Sequence, residues 1–240
     1  MTGDREHRVQ IEHGPPDVDL GRVWIGVGAQ VWRRHPRAPE RLAGWLLRSP
    51  GLARALVTTP SLLLGWVLAT TVVLLAGVLA TRETGTPYVA LLAPAIAAAG
   101  IAYAYGPGVD PAWELSGSMA VSDRMVLLVR ASAVFGLNAA LGLAAGGASG
   151  AATAVTFGWL IPMTAVCGLA LAVATLAQSA NAGVAAGVAG WAITVLCGQA
   201  TTGRFTAAVT DSVLVLPYLA FAGCCAAIVL YATRIQRGTR

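Results

Sequence analysis

Few side chains in this sequence could do acid, base or nucleophilic chemistry, and those few stand apart from one another. All three histidines, His7, His13 and His35, fall in the polar N-terminal stretch, and the long apolar runs that follow hold neither a carboxylate pair nor a histidine cluster. Cys167, Cys197, Cys224 and Cys225 lie inside or at the edge of apolar segments, without the paired spacing of a zinc or disulfide framework, and read as small hydrophobes. The chain contains no Lys, so it has no Gly-rich phosphate cradle closed by Gly-Lys-Ser or Gly-Lys-Thr. With no set of residues to serve as base, nucleophile or metal site, an enzyme embedded in the membrane is disfavoured. No metal and no directly bound cofactor is expected.

The richest polar segment is 105–124, which reads Tyr-Gly-Pro-Gly-Val-Asp-Pro-Ala-Trp-Glu-Leu-Ser-Gly-Ser-Met-Ala-Val-Ser-Asp-Arg. Asp110-Pro111 pairs an N-cap residue with proline at the first helical position, which predicts a short helix through Trp113, Glu114 and Leu115. Ser122-Asp123 is a second cap that places a carboxylate in the first turn of the next helix, where the helix dipole favours it. A short helix presenting Trp and Glu at a membrane face suits docking rather than catalysis. Its plainer alternative is an ordinary capped turn.

Three further residues stand out within apolar runs. Asn138 is a strongly polar uncharged side chain at depth, and reads as a hydrogen-bonding helix contact or as a residue lining a path. Pro94 and Pro162 are expected to kink their helices, each freeing a carbonyl that lines a path or is taken up by neighbours. Gly142-x-x-x-Gly146 and Gly183-x-x-x-Gly187 allow close helix approach, read first as packing within the chain and second as a dimer face. Arg130 lies near enough to a helix start to snorkel to the interface.

These residues must be held by helices in lipid. The 240-residue chain is 56% apolar and only 11% charged, with a mean hydropathy of +0.68, whereas soluble domains carry about 25% charged residues. Cutting the chain wherever charge or turn residues interrupt predicts six spans: Pro60 to Ala80, Pro87 to Tyr105, Met125 to Ala145, Val155 to Leu176, Ala182 to Ala200 and Ser212 to Tyr231. The fold class is thus all-α, a polytopic membrane protein of six transmembrane helices. The net charge of +5 comes wholly from arginine, nine of which precede the first span. An arrangement with both termini in the cytoplasm puts fourteen arginines inside and leaves Arg82 and Arg204 outside. That distribution points to a cell membrane rather than to nucleic acid.

Ahead of the spans, residues 1–56 form a cytoplasmic region, followed by the membrane domain over 57–232 and a basic tail over 233–240. Residues 1–16 hold charge and little apolar area and are expected to stay unstructured. Asp17 or Asp19 caps a helix with Leu20, Val23, Trp24, Val27 and Val31 on one face. A second amphipathic stretch, Glu40 to Arg48, sets Leu42, Trp45 and Leu46 against Arg41 and Arg48 and suits a membrane surface. Ser49-Pro50 and Thr59-Pro60 are further cap signals that divide the approach to the first span.

The run Asp-Pro-Ala-Trp-Glu-Leu, followed by Ser-Met-Ala-Val-Ser-Asp-Arg-Met-Val-Leu-Leu-Val-Arg up to position 130, resembles the second-to-third cytoplasmic loop of type-2 ABC exporter permeases. The six spans, the cytoplasmic termini and the amphipathic helix before the first span extend the resemblance over about residues 37–235. It implies a membrane subunit driven by a separate cytosolic ATPase, with ATP held on that partner. Asp110, Pro111, Trp113, Glu114 and Leu115 would then form the ATPase coupling helix, and Glu40, Arg41, Trp45 and Arg48 would belong to the connecting helix. The implied partners are the ATP-binding subunit, a second copy or sister permease, and membrane lipid, with an apolar or amphipathic cargo such as a lipid, peptide or drug. Two features depart from the family: Gly198 to Asp211 is short where a re-entrant hairpin is usual, and the stretch 17–35 is unassigned. A competing expectation is a membrane anchor or sensor whose N-terminal region binds a cytosolic regulator.

Overall fold

The computed structural model describes residues 19–32, 41, 44–45, 60–105 and 123–235. Asp19 opens the first helix, α1 (Leu20–Trp32): its Oδ1 accepts the Arg22 backbone N–H at 3.1 Å, so Asp19 is the capping aspartate. Pro60 is the first residue of α2 (Pro60–Thr84), a position where a missing N–H leaves no bond unmade. Then follow α3 (Tyr88–Tyr103), α4 (Asp123–Ser149), α5 (Thr153–Gly158), α6 (Leu160–Ala177), α7 (Ala180–Thr202), α8 (Ala207–Thr210) and α9 (Val215–Ile235). A 3-10 turn over Ser212–Leu214 precedes the last. The described residues contain no strand.

Each of the six apolar runs is helical. Five stretches are long and apolar enough to cross a membrane, with α5 and α6 acting together over Thr153–Ala177. The second run, expected over Pro87 to Tyr105, is a helix of 16 residues and falls short of that length. Its rise is about 24 Å at 1.5 Å per residue. The chain is an all-α polytopic membrane protein.

The 177–181 connection, which carries no charge to mark it, is set by backbone geometry. Gln178 takes a left-handed conformation at φ 50° and ends α6, and the Ser179 hydroxyl accepts the Ala182 N–H at 3.4 Å to start α7. Between α5 and α6 the helix breaks at Trp159, because Pro162 has no N–H to return to the Gly158 carbonyl.

Contacts between helices fix the topology. The Arg82 guanidinium at the end of α2 reaches Ala148 O near the end of α4, at 2.6 Å from Nη2, so these two helices run parallel. The Tyr88 N–H donates to Thr81 Oγ1 at 3.1 Å, and Trp66 faces Gly100, so α3 runs back along α2. α7 lies antiparallel to both α3 and α6, with Gly183 beside Ala102 and Ala174 and Gly187 beside Ala98 and Ala170. α9 descends beside α6, with Gly168 against Cys225. The start of α2, the ends of α3 and α9 and the start of α4 therefore share one end of the bundle.

The centre is α6 with α3, and α7 lies on both. Its lining is small: Ala97, Ala98, Ala102, Ala170 and Ala174 are completely buried. In lipid, tails are as apolar as leucine, so helices associate through close contact, which small residues permit. Both Gly-x-x-x-Gly pairs are used this way within the chain. A Cβ at Gly183 would stand 2.5 Å from Ala170 O, and one at Gly142 would stand 2.5 Å from Trp159 Cη2.

The connection from α7 to α9 is short, as expected, but it is not a plain surface turn. Gly203 at φ 70° ends α7, and α8 then folds back so that Ala208 and Val209 are buried. The Tyr218 hydroxyl donates to Ala208 O at 2.9 Å, and Val209 O abuts Gly158, where a Cβ would come within 2.9 Å.

Candidate functional site

Asn138, Pro94 and Pro162 come from three helices, and each lies within about one turn of a residue at the buried Trp159 indole. That ring is completely buried and lies over Gly142, one turn beyond Asn138 in α4. Ala93, next to Pro94 in α3, is 3.4 Å from the Cβ position of the same glycine. Pro162 follows Trp159 by three residues and is itself fully buried. The sequence supplied these as separate interruptions of apolar runs. Their meeting is a product of packing.

Asn138 is 4% exposed, and its Nδ2 donates to Val134 O at 2.8 Å, within its own helix. The cross-helix bond that an asparagine at depth often makes is not formed, and its Oδ1 is buried without a partner. Pro94 is buried inside α3, which continues on both sides of it. Proline there leaves the Ala90 carbonyl without its i+4 donor. One residue further on, Leu91 O accepts the Trp191 indole N–H of α7 at 2.6 Å. The backbone near the proline is thus tied to a neighbouring helix.

Arg41 and Trp45, expected in a connecting helix, are both exposed, Trp45 at 77%. Glu40 and Arg48 lie outside the described residues, as does the whole expected coupling helix with Asp110, Pro111, Trp113, Glu114 and Leu115. Residues 1–16 and the Ser49-Pro50 signal lie outside them too. The ends of that polar segment are visible: Tyr105 is buried at the end of α3, and Asp123 begins α4. Both are at the end of the bundle where α2 starts.

Sequence reasoning passed over several polar groups that the structure makes prominent. Trp66 Nε1, Thr70 Oγ1, Trp159 Nε1 and Gln199 Oε1 are buried without a partner. Thr70 is unlike the other buried threonines, Thr81, Thr156 and Thr175, whose hydroxyls all bond back to a carbonyl of the preceding turn or turn boundary. Nothing in the run Leu-Ala-Thr-Thr-Val-Val separates Thr70 from Thr71, whose hydroxyl donates to Val67 O at 2.7 Å.

Among the described residues no three of His, Cys, Asp or Glu are grouped to hold a metal ion. Among the described residues, what gathers in the interior is hydrogen-bonding capacity without a buried Asp, Glu, His, Lys or Arg. Outside, α2, α7 and α9 present Leu68, Leu79, Ile193, Leu196, Leu216 and Leu219 to the surroundings, as lipid-facing helices do. No family model, no curated protein and no solved structure matches this chain.

Proposed function

We propose that the chain is the transmembrane permease subunit of an ATP-driven exporter, working with a separate cytosolic ATPase and moving an apolar or amphipathic substrate. The observation that carries this reading is that α3 ends and α4 begins at the end of the bundle where α2 starts, and that the sequence between them bears Asp-Pro-Ala-Trp-Glu-Leu. Arg130 in the second turn of α4 and Arg234 in the last turn of α9 belong to that end, while Arg82 and Arg204 belong to the other. The positive-inside rule assigns the arginine-rich end, with both termini, to the cytoplasm of a cell membrane. A docking helix there meets an ATPase, and ATP-driven closure of a paired ATPase would tilt two such bundles against each other.

Among the described residues no charged side chain is buried, which fits an apolar or amphipathic cargo better than an ion, because burying an unpaired charge at depth costs several kcal/mol.

A second reading, a membrane anchor or sensor, is favoured by α1. Its Leu20, Val23 and Trp24 are 66%, 49% and 71% exposed, an apolar face available to a regulator. The two readings separate in one experiment. The full chain is purified in mild detergent with whatever accompanies it, with and without the paired substitution Trp113→Ala and Glu114→Ala, and again after removal of residues 1–35. The permease reading expects an ATP-binding subunit that the double substitution releases. A partner retained through residues 1–35 and indifferent to positions 113 and 114 would replace it with the anchor reading.

A further inference from the structure

We infer that Trp66, Thr70 and Asn138 form an internal hydration site between α2, α3 and α4, in which ordered water is held by the indole N–H, the threonine hydroxyl and the asparagine amide oxygen. The inference does not depend on the exporter reading. It starts from three buried polar atoms, Trp66 Nε1, Thr70 Oγ1 and Asn138 Oδ1, which have no partner in the protein. Thr70 is 2% and Asn138 4% exposed. Shutting a polar atom away from water without a hydrogen bond is costly, so three at neighbouring levels call for a common partner.

The register of the helices puts them in one layer. A Cβ at Gly100 would lie 2.9 Å from Trp66 Nε1, and the Tyr88 N–H reaches Thr81 Oγ1, which together set Thr70 opposite Ala97 on α3. On the other side, a Cβ at Gly142 would lie 3.4 Å from Ala93 Cβ, which sets Asn138 opposite Ala97 as well. The Arg82 bond to Ala148 O gives an independent check: counting back from it, Thr70 and Asn138 differ in depth by about 3 Å at 1.5 Å per residue. The Asn138 amide is drawn back toward Val134, that is, toward the side on which Trp66 lies, one turn from Thr70 on α2.

The three side chains also face inward together. The buried positions of α2 are Thr70, Leu74, Gly77, Val78 and Thr81, a single stripe. Asn138 belongs to the corresponding stripe of α4, with Ala131, Gly142 and Gly146. Both helices touch α3 and each other. At this level α3 contributes Ile96, Ala97 and Gly100, none of which carries a side-chain hydrogen-bonding group, and the Trp66 ring lies against Gly100. Two donors and one acceptor match the roughly three hydrogen bonds that a buried water makes.

The test uses the full chain in lipid bilayer discs with deuterated acyl chains and 15N-labelled tryptophan, with Trp66 assigned through Trp66→Phe. Magnetisation selected on water should pass to the Trp66 indole proton, although that atom is buried. The Trp191 indole, bonded to Leu91 O, should receive none and serves as the reference. In the pair Thr70→Val and Asn138→Leu the Trp66 transfer should vanish while the Trp191 resonance stays in place. No transfer to Trp66 in the unsubstituted chain would overturn the inference. Transfer that persists in the pair with Trp191 unmoved would also overturn it, since water would then reach the indole without the other two groups. If the pair shifts Trp191, the near-isosteric Thr70→Val alone decides, with weakened transfer expected and unchanged transfer refuting.

Discussion

α6 and α9 are neighbours of similar length and similar apolar character, yet 56% of the most apolar stretch leading through α6 is buried against 11% for α9. The most apolar stretch through α9 has the higher mean hydropathy, 2.4 against 2.1. The difference lies in side-chain size along the seam. α6 turns Ala165, Ala170, Ala172 and Ala174 toward its neighbours and touches α3, α7 and α9. α9 meets the bundle chiefly along α6, where Cys225 and Val229 are buried one turn apart, and leaves Leu216, Leu219, Phe221 and Tyr231 outside. In water the more apolar helix would be the buried one. In lipid that rule lapses, and the helix that ends up inside is the one whose small residues let others approach.

The sharpest way to break this comparison is to enlarge the central contact. Gly183→Val puts a branched side chain where even a Cβ meets Ala170 O at 2.5 Å and Ala174 Cβ at 2.7 Å, and backbone atoms cannot step aside. A loss of about 3 kcal/mol or more is expected, read as a collapse of the thermal unfolding midpoint in detergent. Next comes Ala170→Leu in α6, completely buried, against Ala226→Leu in α9, exposed. The first should cost about 2 kcal/mol and the second less than about 0.5 kcal/mol. Equal losses would show that α9 is covered by a partner in the membrane.

Smaller effects sharpen the same contrast. Trp191→Phe removes the indole donor from Leu91 O while keeping most of the ring, and should lower stability by about 1 kcal/mol. The least effect is expected from two Gly→Ala changes of opposite sign. A Cβ at Gly168 would press Cys225 Cβ at 3.2 Å, whereas one at Gly223 meets nothing within 4 Å. Gly223→Ala should raise the midpoint slightly, by helix propensity worth up to about 1 kcal/mol. Gly168→Ala should lower it slightly.

Much of this architecture was legible in the residues. The apolar runs located all six helices, and charge and cap residues marked most of their limits, as Asp19, Pro60 and Asp123 show. The short α3 was harder, since apolar residues continue past Tyr103 into a turn over Ala104 and Tyr105 that no local signal announces. α8 was missed because its fold-back depends on Gly158 and Tyr218, residues remote from it in sequence or lying in the next helix. For the candidate site, Asn138, Pro94 and Pro162 were visible as exceptions within apolar text. Thr70 and Trp66 were not, because a threonine in a helix ordinarily satisfies its hydroxyl on the preceding turn.

The sequence by itself determined that this chain lives in a membrane as a set of apolar helices, with arginine gathered toward one side. Those properties follow from composition and from the length needed to cross hydrocarbon, and they need no knowledge of which helix touches which. Only the tertiary structure decided that α6 and α3 are central and α9 peripheral, that both Gly-x-x-x-Gly pairs serve contacts within the chain, and that Trp66, Thr70 and Asn138 share one layer. The reason is that hydropathy drives a segment into lipid but does not rank segments against each other there. That ranking is set by shape, by hydrogen bonds such as Trp191 to Leu91, and by register between residues far apart in the chain.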